Sequence, residues 1–127
     1  MNESLKTETI TDLIDLYCRA WNEPNAVNRR AILEAVFSEA ATYTDPTVDA
    51  LEIEALVSHI GTMLVRRPGA KIIRASSVNE HHGFAQFAFQ VLQADGVLLR
   101  EGIDFVDLTF EGKIRRIVGF FGSFTTQ

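Results

Sequence analysis

The chain has 127 residues, of which 46% are hydrophobic, and its formal net charge is −5. This length suits a single domain with one core, and no apolar run is long enough to cross a bilayer. The negative charge argues against nucleic acid as a partner, and we interpret the arginine pairs at 29–30, 66–67 and 115–116 as solvated faces. Cys18 is the only cysteine and the first residues lack a secretion signal, so we expect a cytoplasmic protein without disulfides.

Three helices are predicted in the first half of the chain. The first covers about residues 9–22, where apolar side chains recur at three- and four-residue spacing. Tyr17 belongs to that apolar stripe, so its hydroxyl needs a partner in the core. The second helix covers roughly 26–38. The third follows a capping-box pattern at 49–52, with Asp49 as the cap, and ends at a Pro-Gly pair.

Strands are predicted around and after the third helix. Residues 41–46 form a short extended piece, and Pro46 keeps Asp45 out of helical geometry. From residue 70 the apolar period changes to two, which predicts four successive strands, namely Lys71–Asn79, Phe84–Gln93, Val97–Phe110 and Ile114–Phe124. Turns at 95–96 and 111–112 join them as hairpins. Helices followed by such a meander predict an α+β domain in which a curled sheet leaves a cavity beneath the helices.

The third long strand carries a carboxylate, Asp104, in an apolar run. Both faces of residues 103–108 are mostly apolar, so we expect this segment to be covered on both sides and Asp104 to be buried. Arg100 lies on the same strand face, about 13 Å away along an ideal strand. A bulge near Gly102 would change that distance. An Arg100–Asp104 ion pair would keep the carboxylate ionised.

Several chemistries can be set aside from the sequence. It contains no glycine-rich phosphate loop, no HExxH, no CxxC and no Gly-x-Ser-x-Gly elbow. His81 and His82 are neighbours on a predicted strand start and point to opposite faces, so we expect no metal site and no cofactor. His59 is interpreted as a boundary residue of the third helix. Cys18 lies off the main stripe of the first helix, which argues against a nucleophile.

Four stretches of the sequence resemble the SnoaL-like branch of the nuclear transport factor 2-like superfamily, and these are YCRAWNEPN (17–25), FSEAATYTDPTVD (37–49), RPGAKI (67–72) and EGIDFVDLTFEGKIRRIVGFFG (101–122). The resemblance implies one SnoaL-like domain over 1–127, with 1–8 as a segment that could be disordered. It implies a cystatin-like cone, with three N-terminal helices packed on a curved antiparallel sheet of four long strands plus a short early strand. The superfamily includes isomerases, polyketide cyclases, epoxide hydrolases, dehydratases and non-enzymes, so the fold does not decide the function.

Within the superfamily, the nearest catalytic pattern is that of ketosteroid isomerase. Its helix-one tyrosine, its aspartate before proline and its strand aspartate correspond to Tyr17, Asp45 and Asp104. The resemblance implies that these residues line one pocket, with Asp45 as the base. Tyr17 and a protonated Asp104 would donate hydrogen bonds to an enolate oxygen. A neutral aspartic acid in that role is known from ketosteroid isomerase itself.

Each of these residues also has a structural interpretation. Tyr17 fits an ordinary core tyrosine, Asp45 a turn aspartate that caps local amides, and Asp104 a carboxylate paired with Arg100.

The cyclases place a catalytic aspartate where this chain has Ile-Val-Gly at 117–119, which argues against a cyclase. Epoxide hydrolases need an arginine flanked by two aspartates, and that pattern is incomplete here.

We therefore expect a small-molecule pocket protein, with an isomerase-like, cofactor-free proton transfer on an apolar, ketosteroid-like carbonyl compound. The expected ligand contacts are Trp21, Phe37, Phe87, Phe89, Arg100, Phe105 and Phe120. The alternative is a non-catalytic ligand-binding or dimerisation module of the same fold, and a polyketide cyclase is less favoured. By resemblance we also expect a homodimer through the open sheet face, with a patch formed by Phe120, Phe121 and Phe124. Neither nucleic acid nor a membrane is an expected partner.

Overall fold

The structure is a computed structural model that describes Leu5 and residues 7–122. Over these residues the helices are α1 (Ile10–Ala20), α2 (Ala26–Val36) and α3 (Ile53–Arg66). The strands are β1 (Phe37–Asp45), β2 (Val48–Ala50), β3 (Lys71–Arg74), β4 (Asn79–His81), β5 (Phe84–Leu92), β6 (Leu98–Leu108) and β7 (Ile114–Phe121). None of the described helices is long and apolar enough to span a membrane. The predicted end of the last strand at Phe124 and most of the segment 1–8 lie outside the described residues.

The strands form one curved, mixed sheet that does not close, in the order β2-β1-β7-β6-β5-β3, with β4 also paired to β5. The prediction of helices on a curved sheet is confirmed, and the strands from β3 to β7 pair antiparallel as expected, but the early strand makes the sheet mixed. β1 runs parallel to β7, through pairs such as Tyr43 with Ile117. The early strand is also longer than expected and turns back into β2.

Two further boundaries differ from the predictions. The expected strand at 71–79 is split into β3 and β4, which pair with different parts of β5. Between them the hydroxyl of Ser76 accepts a hydrogen bond from the amide of Ala88 at 2.8 Å, in place of a ladder partner. Asp49 does not cap α3. It lies in β2 and accepts from the Thr44 hydroxyl at 2.8 Å, while Glu52 occupies the cap position without a side-chain hydrogen bond.

The helices pack on the inner face of the sheet and bury a continuous core. α1 contributes the largest share, because its apolar stripe faces the sheet as predicted. Thr9 caps this helix by accepting a hydrogen bond from the amide of Asp12 at 3.0 Å. At the other end of α1, the Asn22 side chain donates to the carbonyl of Ile72 at 2.8 Å and accepts from its amide at 2.7 Å, which joins the helix to β3.

Arg29 corrects the interpretation of the arginine pairs as solvated faces. Its side chain is buried, and the residue is 3% exposed. The guanidinium donates to the backbone carbonyls of Glu23, Pro24 and Val57 at 2.8–3.1 Å. Arg29 therefore ties the start of α2 to α3. Its neighbour Arg30 remains on the surface, in an ion pair with a glutamate of α3.

Within the described part of the chain, no helix covers the outer face of the sheet. Phe105 and Phe120 lie there edge to face, with ring centroids 5.8 Å apart and exposed fractions of 42% and 49%. The prediction that 103–108 is covered on both sides is therefore wrong for this face. Asp107 does lie buried on this side, because Arg115 and Arg116 form ion pairs with it at 2.8 and 3.1 Å.

Candidate active site

A small cavity of about 50 Å³ lies between α1, α3 and the inner face of the sheet. Its walls are mostly apolar, but polar groups reach it from several elements. Tyr17 comes from α1, Tyr43 and Asp45 from β1, His59 from α3, and Asp104 from β6. The structure thus brings together the three residues for which the resemblance implied a shared pocket, and it adds two more.

Asp104 points inward from the middle of β6 and is 5% exposed. Its Oδ1 atom has no hydrogen-bond partner among the described residues. Burial, and secondarily the negative charge of Asp45, raise the pKa of Asp104 to about 8. The group is therefore mostly neutral at pH 7 and can act as a hydrogen-bond donor.

Gly119 makes room for this carboxyl group. It pairs with Asp104 across β6 and β7. A Cβ atom at position 119 would lie 2.8 Å from the Oδ1 atom of Asp104 and 3.4 Å from the Cβ of Asp45. The missing side chain thus lets the two acids approach each other on the inner face.

Asp45 is half-buried at the end of β1 and accepts three hydrogen bonds. The Tyr43 hydroxyl donates to Oδ2 at 2.6 Å, while the Thr47 amide and hydroxyl both donate to Oδ1 at 2.7 Å. These donors fix the orientation of the carboxylate group. Oδ1 of Asp45 therefore has the capping role that the sequence suggested. Oδ2 accepts only the Tyr43 hydrogen bond and keeps a lone pair for a further contact.

Tyr17 and Tyr43 supply phenol groups to the same cavity. Tyr17 is 1% exposed and stacks on Phe37 with ring centroids 5.9 Å apart. Burial, followed by the charge of Asp104 when ionised, raises the pKa of both Tyr17 and Tyr43. Both hydroxyls therefore stay protonated and remain donors. Tyr43 was missed in the sequence, although it lies two residues before Asp45 and strand alternation places both side chains on one face.

His59 and Cys18 also line the cavity, which the sequence did not indicate. The His59 ring lies edge-on to Trp21 with centroids 5.9 Å apart, and burial lowers its pKa. A neutral imidazole is therefore favoured on this wall. Burial raises the pKa of Cys18 to about 12, so the thiol stays protonated and is a poor nucleophile.

Arg100 does not pair with Asp104. The register between β5 and β6 runs without a bulge from Phe84 to Val91, so Gly102 does not shorten the distance along the strand. The guanidinium instead lies over the ring of Phe121, with Cζ 4.2 Å from the ring centroid. Over the described part of the chain no ion pair includes Arg100, and the ionised alternative for Asp104 is not observed.

The seven residues that were expected to contact the ligand divide into three groups by their position. Trp21 and Phe89 line the cavity, as does Arg100 at its mouth. Phe37 and Phe87 are buried in the core but do not line it. Phe105 and Phe120 lie on the opposite face of the sheet, because they alternate with inward residues of β6 and β7. Phe121, expected in an outer patch, faces the cavity instead.

His81 and His82 lie away from the cavity and do not point to opposite faces. His82 has a positive φ of 52°, and the two Nδ1 atoms are 3.1 Å apart. Within the described residues, no group of three or more histidine, cysteine or acidic side chains is placed to hold a metal ion.

A wider groove of about 590 Å³ adjoins the cavity on the side of α3. The two spaces share the lining residues Thr47, His59, Met63, Val91 and Arg100. The inner cavity has room for only a few water molecules, whereas ligand sites usually measure about 300–1,000 Å³. A ligand could therefore place only one end in the cavity, with its body in the groove.

Three helices on a curved, unclosed sheet, with a mostly apolar cavity between them that several polar groups reach, define a cystatin-like α+β protein. The structure is similar to a candidate isomerase of the SnoaL-like family from Agrobacterium tumefaciens, with 26% identity, a TM-score of 0.83, and coverage of 89% of this chain and 97% of that one. A protein of unknown function with a cystatin-like fold from Methylobium petroleophilum gives 16% identity and a TM-score of 0.71, covering 93% of this chain and 78% of that one. A nuclear transport factor 2-like protein of unknown function from Cytophaga hutchinsonii gives 15% identity and a TM-score of 0.67, with coverage of 92% and 93%.

No protein-family profile and no curated protein matches the sequence. The structural neighbours confirm the predicted cystatin-like, nuclear transport factor 2-like fold, and they support the SnoaL-like superfamily. They do not extend to a particular reaction.

Proposed function

We propose that the protein is an isomerase-like enzyme that catalyses cofactor-free proton transfer on a carbonyl compound. Asp45 is the base, and Tyr17 and the neutral Asp104 are the donors that stabilise the enolate oxygen. The reacting end of the substrate enters the apolar cavity. The proposal includes a cytoplasmic location, where the single Cys18 needs no disulfide partner.

The observation that carries this proposal is the environment of Asp104. A buried carboxyl group whose Oδ1 atom has no partner is unfavourable for folding, since an unsatisfied buried polar atom destabilises by about 1–3 kcal/mol. Such a group is explained when a ligand supplies the missing partner. The raised pKa keeps a proton on the acid at neutral pH, as an oxyanion donor requires.

The proposed reaction moves one proton between two carbons of the substrate. Oδ2 of Asp45 removes the proton from the carbon next to the carbonyl, and the electron pair passes to the carbonyl oxygen. Hydrogen bonds from Tyr17 and Asp104 stabilise the enolate that results. The same proton then returns from Asp45 to the γ-carbon, which moves the double bond into conjugation and restores the base. Tyr43 positions Asp45 through its 2.6 Å hydrogen bond.

Substitution of Asp45 tests the proposal with a panel of β,γ-unsaturated ketones. We expect wild-type protein to form the conjugated ketone. Formation of this product is measured by its ultraviolet absorbance. Asp45→Asn should lower kcat by about 10²–10⁴, because the amide cannot accept the proton. Asp49→Asn is the matched control, since Asp49 is an exposed aspartate nearby that contacts Thr44 and does not line the cavity.

Two results would contradict the proposed reaction. One is no turnover of any ketone in the panel. The other is turnover that Asp45→Asn and Asp49→Asn lower equally. Either result would favour the second candidate, a non-catalytic ligand-binding module, which the small inner volume also supports. A polyketide cyclase remains less favoured, because the Ile-Val-Gly stretch at 117–119 supplies no carboxylate where those enzymes resemble one another in placing theirs.

A further inference from the structure

Among the described residues, the groove outside the cavity is lined by three arginines and by no carboxylate. Arg66 and Arg67 come from the end of α3, and Arg100 comes from the facing strand β6. The remaining lining includes the apolar side chains of Met63, Val91 and Leu99. This concentration of positive charge stands out in a chain whose net charge is −5.

The three arginines lack ion-pair partners among the described residues, unlike several other arginines of the protein. Arg30, Arg74, Arg115 and Arg116 each lie within 3.1 Å of a carboxylate oxygen. The charge in the groove is therefore not neutralised within this part of the chain. Arg66 also acts on the site electrostatically, because its charge contributes to the lowered pKa of His59 on the shared wall.

The groove and the cavity form two ends of one binding space. Arg100 lines both, and its guanidinium is held over Phe121 at the boundary between them. At the inner end the unpartnered Oδ1 of Asp104 offers a donor to a neutral carbonyl oxygen. At the outer end the guanidiniums offer donors to an anion, which arginine binds through charge-assisted hydrogen bonds.

From this arrangement we infer that the substrate has two unlike ends, a carbonyl group that enters the cavity and an anionic group that binds Arg66, Arg67 and Arg100. This inference deepens the proposed function and rests on it for the role of the carbonyl end. The substrate class is an apolar oxo compound with a carboxylate, or another singly or doubly charged anion, at the far end. A wholly uncharged ketone would leave the arginines unused.

The separation between the arginine-lined groove and the carboxylate of Asp45 is consistent with the role of Asp45 as the base. An anion beside Asp45 would be repelled by its carboxylate, whereas the groove holds the anion apart from that group. The arginines would then orient the substrate with its carbonyl toward Asp104. They would also attract anions to a protein that otherwise repels them.

A binding measurement tests the inference without depending on catalysis. The probe is 4-(4-oxocyclohexyl)butanoate, a saturated ketone that cannot isomerise, compared with its primary amide by isothermal titration calorimetry. Wild-type protein should bind the carboxylate about tenfold more tightly than the amide. Arg66→Gln and Arg100→Gln should each reduce the preference for the carboxylate by about threefold or more. The Arg66→Gln/Arg100→Gln double variant should abolish this preference. Lys71→Gln is the control, because Lys71 is an exposed cation outside both spaces.

The inference is overturned if the carboxylate does not bind, if the amide binds equally well, or if Lys71→Gln removes the preference as strongly as Arg66→Gln. If Arg100→Gln does not fold by circular dichroism, the Arg66→Gln/Arg67→Gln double variant carries the test, since both side chains are exposed. The corresponding cyclohex-3-enones provide a separate arm. Binding of the acid without turnover would contradict the proposed reaction and leave the anion site intact.

Discussion

The carboxyl group of Asp104 decides what this cavity can do. Its burial could be predicted from the apolar run around it, and the resemblance supplied Tyr17 and Asp45 as partners. Tyr43 and His59 were not predicted, although alternation from Asp45 would have indicated Tyr43. The contact of His59 with Trp21 depends on where α3 lies relative to the end of α1, and no local pattern contains that information.

Titration of Asp104 predicts a pH dependence of stability. The ordinary pKa of its side chain is 3.8 and the pKa in the fold is about 8, so between these values the native state holds one proton more than the unfolded state. The stabilisation is complete below the lower pKa and is lost as pH rises through about 8, by at most about 1.4 kcal/mol per pH unit. Asp104→Asn cannot titrate. We expect the free energy of unfolding of wild type, relative to this variant, to fall by about 2–4 kcal/mol between pH 5 and pH 8.

Urea unfolding of both proteins across this pH range measures the effect. The exposed variant Asp49→Asn should show no comparable change relative to wild type. A constant difference between wild type and Asp104→Asn would show that Asp104 ionises normally in the fold, and the donor role would then be lost.

The helices and the turns could be predicted from the sequence, because their signals are local. α1 matches its expected range to within two residues, and Gly96 and Gly112 adopt the positive φ values that the two hairpin turns require. The parallel pairing of β1 with β7 could not be predicted in this way, since no local pattern specifies a partner so far along the chain. The apparent capping box failed because pairing with β1 holds Asp49 in a strand.

At the level of elements, Arg29 should be a main link between α2 and α3. Arg29→Met removes donors from three buried or partly buried carbonyls, so we expect a loss of about 2–4 kcal/mol in the free energy of unfolding. The neighbouring Arg30→Gln is the control. Its ion pair with Glu54 is exposed to solvent, and exposed pairs contribute little to the free energy of unfolding. Equal losses for the two variants, measured by chemical denaturation, would contradict the proposed link.

The open face of the sheet bears on the whole molecule. Ile103, Phe105 and Phe120 form an apolar surface on the strands that also carry the site on their inner face. We propose that two copies of the chain pair through this surface, as the resemblance implied. The contact differs from the expected patch, because Phe121 faces inward and Phe124 lies outside the described residues.

Light scattering after size exclusion measures this assembly. Wild type should have twice the 14.2 kDa mass of the chain, and Phe120→Glu should have the mass of one chain, because a buried charge disfavours the apolar contact. Phe110→Glu, at a fully exposed turn, should keep the wild-type mass. A wild-type mass of 14.2 kDa would exclude the proposed dimer.

The parallel pairing of β1 with β7 has a consequence for the synthesis and folding of the chain. More than half of the chain separates Tyr43 from its pairing residue Ile117. While the ribosome is still adding the intervening residues, β1 has an unmatched edge that can join a wrong strand. The part of the cavity wall that β7 supplies is missing until β7 has been synthesised. Contacts between segments so far apart in the chain also form slowly. Newly made chains would thus pass through an aggregation-prone stage, and a chaperone that shields β1 would have most effect at that time.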